Sequence, residues 1–143
     1  MMLVKKALTA MAIVSLAACS TVSSTWSSLT GGGKVHLTGT EEVPPISTPA
    51  RGDGSFTIGS DGSVKGSVTV SGMNAVAAHI HQGAKGQNGP VIVPLSKSGD
   101  TFTAPAGAKL SDAQMAAYKA GNLYVNVHSP QHKGGEIRAQ LQP

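Results

Sequence analysis

The chain has 143 residues, 40% of them hydrophobic, 3% aromatic and 13% charged, with a formal net charge of +4. Its length suits one modest domain. A single cysteine excludes an intrachain disulfide, and scattered basic residues with few aromatics give no footprint for nucleic acid.

The N-terminal stretch, MMLVKKALTAMAIVSLAAC, places Lys5 and Lys6 before an apolar run from Ala7 to Ala18. A basic start and an apolar core too short to span a bilayer predict a secretory signal peptide over residues 1–18. Loss of Lys5 and Lys6 with that leader lowers the net charge by two. The end of the leader, Leu16-Ala17-Ala18-Cys19, resembles the lipobox of bacterial lipoproteins. The resemblance implies that Cys19 is lipidated as the first mature residue, so the expected partner is a membrane, reached through the N-terminal lipid. Ser20 rather than Asp follows, which implies export to the outer membrane, facing the periplasm. A lipidated Cys19 cannot ligate a metal, which leaves His, Asp, Glu or Met for any metal site. Residues 19–33 are rich in Ser, Thr and Gly and read as a flexible tether. Trp26 lies within it and is assigned no site.

One domain is expected over residues 34–143. Its segments alternate with a period of two. Val35 and Leu37 share one face, opposite His36 and Thr38. Phe56 and Ile58 follow, then Val64, Val68 and Val70, with Asp61-Gly62 as a hairpin turn between the two segments. Val76, Ala78 and Ile80 align, as do Val91, Val93 and Leu95. Leu123, Val125 and Val127 align next, and Ile137, Ala139 and Leu141 close the set. Short strands separated by Gly and Pro predict an all-β fold, an antiparallel sandwich. The exception, residues 111–121, predicts one short helix. Ser111 is its cap, Gln114 the capping-box partner, Gly121 the terminator, and Met115 with Tyr118 its buried side.

The chemistry-bearing residues fall on the faces opposite the apolar ones. His79 and His81 flank Ile80, and His128 shares a face with Tyr124 and Asn126. If those strands are neighbours, three imidazoles converge, a set that suits copper or zinc. His132, four residues beyond His128, could fold back as a fourth ligand; His36 is a weaker candidate on another strand. Glu136 and Arg138 share a face and form either a surface ion pair or support for the site, with Glu42 an equal partner for Arg138. Arg138 is the candidate catalytic residue, drawing anions inward with Lys133. The turn QNGP, residues 87–90, could close over the histidine pair.

LTGTEEVPP, AAHIHQGAKGQNGPVIVPL and GNLYVNVHSPQHKGGEIRAQL together resemble the CHRD domain, named from chordin, over nearly all of residues 35–141. That resemblance implies an immunoglobulin-like Greek-key β-sandwich. HIHQG is also similar to the copper-binding stretch of copper/zinc superoxide dismutases, which implies a superoxide-dismutase-like site with His79 and His81 as copper ligands. That family's zinc-loop histidines and disulfide cysteines are missing here. The expectation is an envelope-anchored protein with a metal centre, copper or else haem iron, and superoxide-dismutase-like redox activity. The alternative is a non-catalytic binding or structural module without metal. A homodimer that completes the site from two chains is a further option.

Overall fold

A computed structural model describes residues 32–143. The expected signal peptide, Cys19, Trp26 and residues up to 31 lie outside the described residues. Nine strands and one α-helix follow: β1 (Gly32–Leu37), β2 (Arg51–Ile58), β3 (Val64–Ser71), β4 (Ala77–Gln82), β5 (Val91–Pro94), β6 (Ser96–Ser98), β7 (Thr101–Thr103), α1 (Asp112–Lys119), β8 (Leu123–His128) and β9 (Ile137–Leu141). A single 3-10 turn, Gly39–Glu41, follows β1. The first strand starts two residues before the expected domain boundary, because Gly32 and Gly33 already pair with Thr57 and Phe56.

The strands form an antiparallel sandwich. One sheet has the order β1-β2-β3-β7-β6 and the other β5-β4-β8-β9. The apolar faces meet in one core, in which Leu37, Val68, Ile80, Phe102, Val125, Val127 and Ile137 are fully buried. Loss of such side chains costs about 2–5 kcal/mol for a Leu or Ile cut to Ala. Where β1 ends, Thr38 exchanges two backbone hydrogen bonds with Arg138 of β9, at 3.2 and 3.0 Å, and ties the edges of the two sheets together.

Local signals decide the helix and the β2–β3 hairpin. The Ser111 hydroxyl accepts from Gln114 N and the Gln114 side chain accepts from Ser111 N, so the capping box is complete. Met115 and Tyr118 are buried, and Gly121 takes a φ of 75° just past the helix. Asp61 and Gly62 lie in the β2–β3 connection, where Asp61 Oδ1 accepts from Ser63 N.

Two apolar positions break the expected alternation. Val91 is 48% exposed, since β5 bulges against β4: Val93 faces Ile80 but Val91, not Ile92, faces His81. The extra residue turns Val91 to the outer face. Val76 is 49% exposed because it precedes β4, in the crossing from one sheet to the other.

Candidate metal centre

The β4–β8 pairing sets Ala77 opposite His128, His79 opposite Asn126, and His81 opposite Tyr124. Ile80, Val125 and Val127 point into the core, so His79, His81, Tyr124, Asn126 and His128 share the outer face. One ligand atom from each of His79, His81 and His128 lies within 4.8 Å of the other two. His79 Nδ1 and His128 Nε2 are 2.9 Å apart. With metal–nitrogen bonds of about 2.0–2.1 Å, tetrahedral ligand nitrogens stand ~3.3 Å apart, so the three rings need only small adjustments to share an ion.

Main-chain carbonyls orient two of the rings. His81 Nδ1 donates to Gly89 O at 2.9 Å, and His128 Nδ1 donates to Lys133 O at 2.9 Å. A neutral imidazole that donates through Nδ1 keeps a lone pair on Nε2. His81 Nε2 is buried and has no hydrogen-bond partner, an orphaned acceptor in ligand position. Burial lowers the pKa of all three histidines. Neighbouring imidazoles lower His79 further, His128 first and then His81, and His81 does the same to His128. The Gly89 carbonyl opposes the shift at His81. Neutral imidazoles are the form a metal takes.

The outer face is roofed. Tyr124 stacks on His81 with ring centroids 4.7 Å apart and planes within 4°. Arg138 Cζ sits 3.4 Å from the Tyr124 ring centroid, coming from the strand on the other side of β8. The guanidinium donates to Ala84 O (3.2 Å), Gln87 O (2.8 Å), Asn88 Oδ1 (3.3 Å) and Gln140 Oε1 (3.4 Å). Gln140 donates to Gly83 O and Gly121 O, both at 2.8 Å. The 83–90 loop, expected as a turn able to close over the histidines, is thereby fastened over the sheet. Tyr124, Asn126 and Gln140 were not singled out from sequence as part of this network. Their signal was present, since the first two alternate with Val125 and Val127 on the face that carries His128.

Other expected residues sit differently. Arg138 is only 1% exposed, so it clamps the loop and offers no open charge to an approaching anion. Lys133 is exposed, and its carbonyl serves His128. Glu136 is buried and its Oε1 accepts from Thr48 Oγ1 at 2.7 Å; among the described residues no carboxylate bonds the three rings, since His81 and His128 bond main-chain carbonyls and His79 bonds His128. Glu42 is buried and its pKa is pushed up to about 7, first by burial, against the attraction of Arg138. His132 lies in a turn closed by Ser129 and outside the group of three ring nitrogens. His36 lies on the other sheet, paired with Asp53 in the open.

The family model described as CHRD domain matches residues 34–141. No curated protein and no solved structure matches the chain.

Proposed function

The chain belongs to the CHRD-domain family, and from that footing we propose that it is an exported, lipid-anchored envelope protein whose His79, His81 and His128 hold one copper ion. The observation that carries the reading is the gathering of three ring nitrogens within 4.8 Å, one of them buried and unpaired. Three neutral imidazoles form a nitrogen-only site, and among divalent first-row metals copper binds such sites most tightly. The likeness of HIHQG to the copper stretch of superoxide dismutases supports the same metal. Haem fits less well, because its iron takes at most two protein ligands and the three nitrogens here converge on one point. One chain supplies all three ligands, so a homodimer is not needed to complete the site. The leader and Cys19 support the anchor, in the outer membrane by the residue that follows.

Copper supplies reversible one-electron chemistry, and superoxide dismutation is the activity this reading extends to. The protein's own part is to fix His81 and His128 through Gly89 O and Lys133 O. The half-buried His79 marks the side open to solvent, and the exposed Lys133 side chain is the available cation for steering an anion.

Titration of metal-free protein with Cu(II), followed by calorimetry and electron paramagnetic resonance, tests the reading. A one-to-one complex with nitrogen hyperfine structure is expected, lost when His79 and His81 are both replaced by Ala. Unchanged stoichiometry in that double variant overturns it. A second reading rests on the 2.9 Å contact between His79 Nδ1 and His128 Nε2, which pairs the rings without any metal. In it the histidines are a polar network in a non-catalytic envelope module, and native-purified protein carries no copper.

A further inference from the structure

The turn that roofs His81 carries the chain's only Asn-Gly pair, Asn88-Gly89; Asn74, Asn122 and Asn126 precede Ala75, Leu123 and Val127. The geometry ties both residues of the pair. A Cβ on Gly89 would stand 1.7 Å from Gln82 O. The exposed Asn88 donates through Nδ2 to Val43 O at 2.8 Å and accepts through Oδ1 from Arg138 at 3.3 Å, a donor and an acceptor that a side-chain amide supplies together. Gly89 N donates to Tyr124 Oη at 3.1 Å, and Gly89 O accepts from His81 Nδ1 at 2.9 Å. An Asn followed by a residue without a side chain is the least shielded setting for attack of the next main-chain nitrogen on the Asn side-chain carbonyl carbon.

We propose that Asn88 is a self-modification site, converted to isoaspartate with water as the sole co-reactant when the roof opens, and that the product cannot close the roof again. Gly89 N attacks Asn88 Cγ; the Cγ–Nδ2 bond breaks, and the amide leaves as ammonia with the proton from Gly89 N. Water then opens the cyclic imide at the main-chain carbonyl of residue 88. The chain now runs on through Cγ, and a carboxylate is left on Cα. In the closed roof the step is held back twice. Arg138 and Val43 O keep the Asn88 amide from turning toward the main chain, and Tyr124 holds the Gly89 N–H. Local opening releases all of these bonds. The product fails to fit the closed geometry on two counts. Its main chain is longer by one carbon–carbon bond, about 1.5 Å, against a hydrogen bond from His81 to Gly89 that fails beyond ~3.5 Å. Gly89 is wedged against Gln82 O and has no room to take up that length. A carboxylate also replaces the donor that faced Val43 O. The conversion therefore releases His81 from its carbonyl, whether or not the three rings hold copper.

The test ages metal-free full-length protein at pH 8 and 37 °C and follows the one-dalton mass gain and the isoaspartate content of the peptide around residue 88. In urea-unfolded protein, Asn88 should convert at least tenfold faster than Asn74, Asn122 or Asn126. The folded parent should convert at least tenfold more slowly than the unfolded chain. Folded Tyr124→Phe, with its circular dichroism unchanged, should convert at least threefold faster than the folded parent. The isoaspartate form, separated by its additional negative charge, should show shifted ring-nitrogen resonances for His81, with His36 as the unmoved reference. Equal rates in folded and unfolded parent, no conversion in the folded protein, a Tyr124→Phe rate equal to the parent's, or an unmoved His81 signal in the isoaspartate form would each overturn the proposal.

Discussion

On the outer face of the five-stranded sheet, His36 and Asp53 pair in open solvent, with side chains 74% and 71% exposed. On the outer face of the four-stranded sheet, His81 and His128 are 7% and 8% exposed. Both faces arise from the same alternation of apolar and polar residues. What separates them is cover. The segment 83–90 is hydrogen-bonded down onto β9, and Lys133 in the 129–136 connection caps His128. A polar strand face becomes a candidate site once a loop dries it and carbonyls choose its tautomers.

The contrast can be broken first at Arg138. Arg138→Ala leaves the Ala84 and Gln87 carbonyls without their donor and uncovers Tyr124. We expect a loss of about 3–5 kcal/mol in urea unfolding, the range for breaking a buried charged network. Arg51→Ala, on the exposed sheet, should stay within about 0.5 kcal/mol.

Acidity acts on the covered face. Glu42 has a folded pKa of about 7 against an ordinary 4.5, so the folded state binds the extra proton between those values. Its contribution to stability is full below pH 4.5 and lost as pH rises through 7, a change of about 3 kcal/mol. The three histidines have lowered folded pKa values, so their contribution is present above 6.5 and lost as pH falls below it. The two contributions therefore oppose each other below pH 7, the histidines raising unfolding free energy with pH while Glu42 lowers it. Glu42→Gln should remove the opposing term, so that unfolding free energy measured against pH rises more steeply between 4.5 and 7 than in the parent.

Copper sharpens the same comparison. At a hundredfold excess over its dissociation constant it should stabilise the fold by about 2.7 kcal/mol. Differential scanning calorimetry should register that gain in the parent and in His36→Ala, and not in His81→Ala. The smallest effect belongs to the open pair: Asp53→Asn should change unfolding free energy by only about 0–1 kcal/mol, and lose even that in high salt.

Much of this arrangement was legible in the residues. The helix was, because a capping box is a local signal. The facing of His79, His81 and His128 was, because alternation fixes sides within a strand. The outer positions of Val76 and Val91 were not, since a bulge and a sheet crossing shift the alternation without a mark in the pattern. The burial of Arg138 was not either. Its three loop acceptors lie some fifty residues away, and a loop folding over a sheet is a long-range event that period-two patterning does not carry.

Arg138 does two jobs from one position. Its backbone joins the edges of the two sheets at Thr38, and its side chain holds the loop over His81. It belongs to the last of the described strands. During synthesis, then, His79 and His81 emerge while their cover is still unmade, and neither seam nor roof can close before β9 arrives. The arrival of β9, not of the strand that bears the first two histidines, sets the moment at which the three rings acquire their cover.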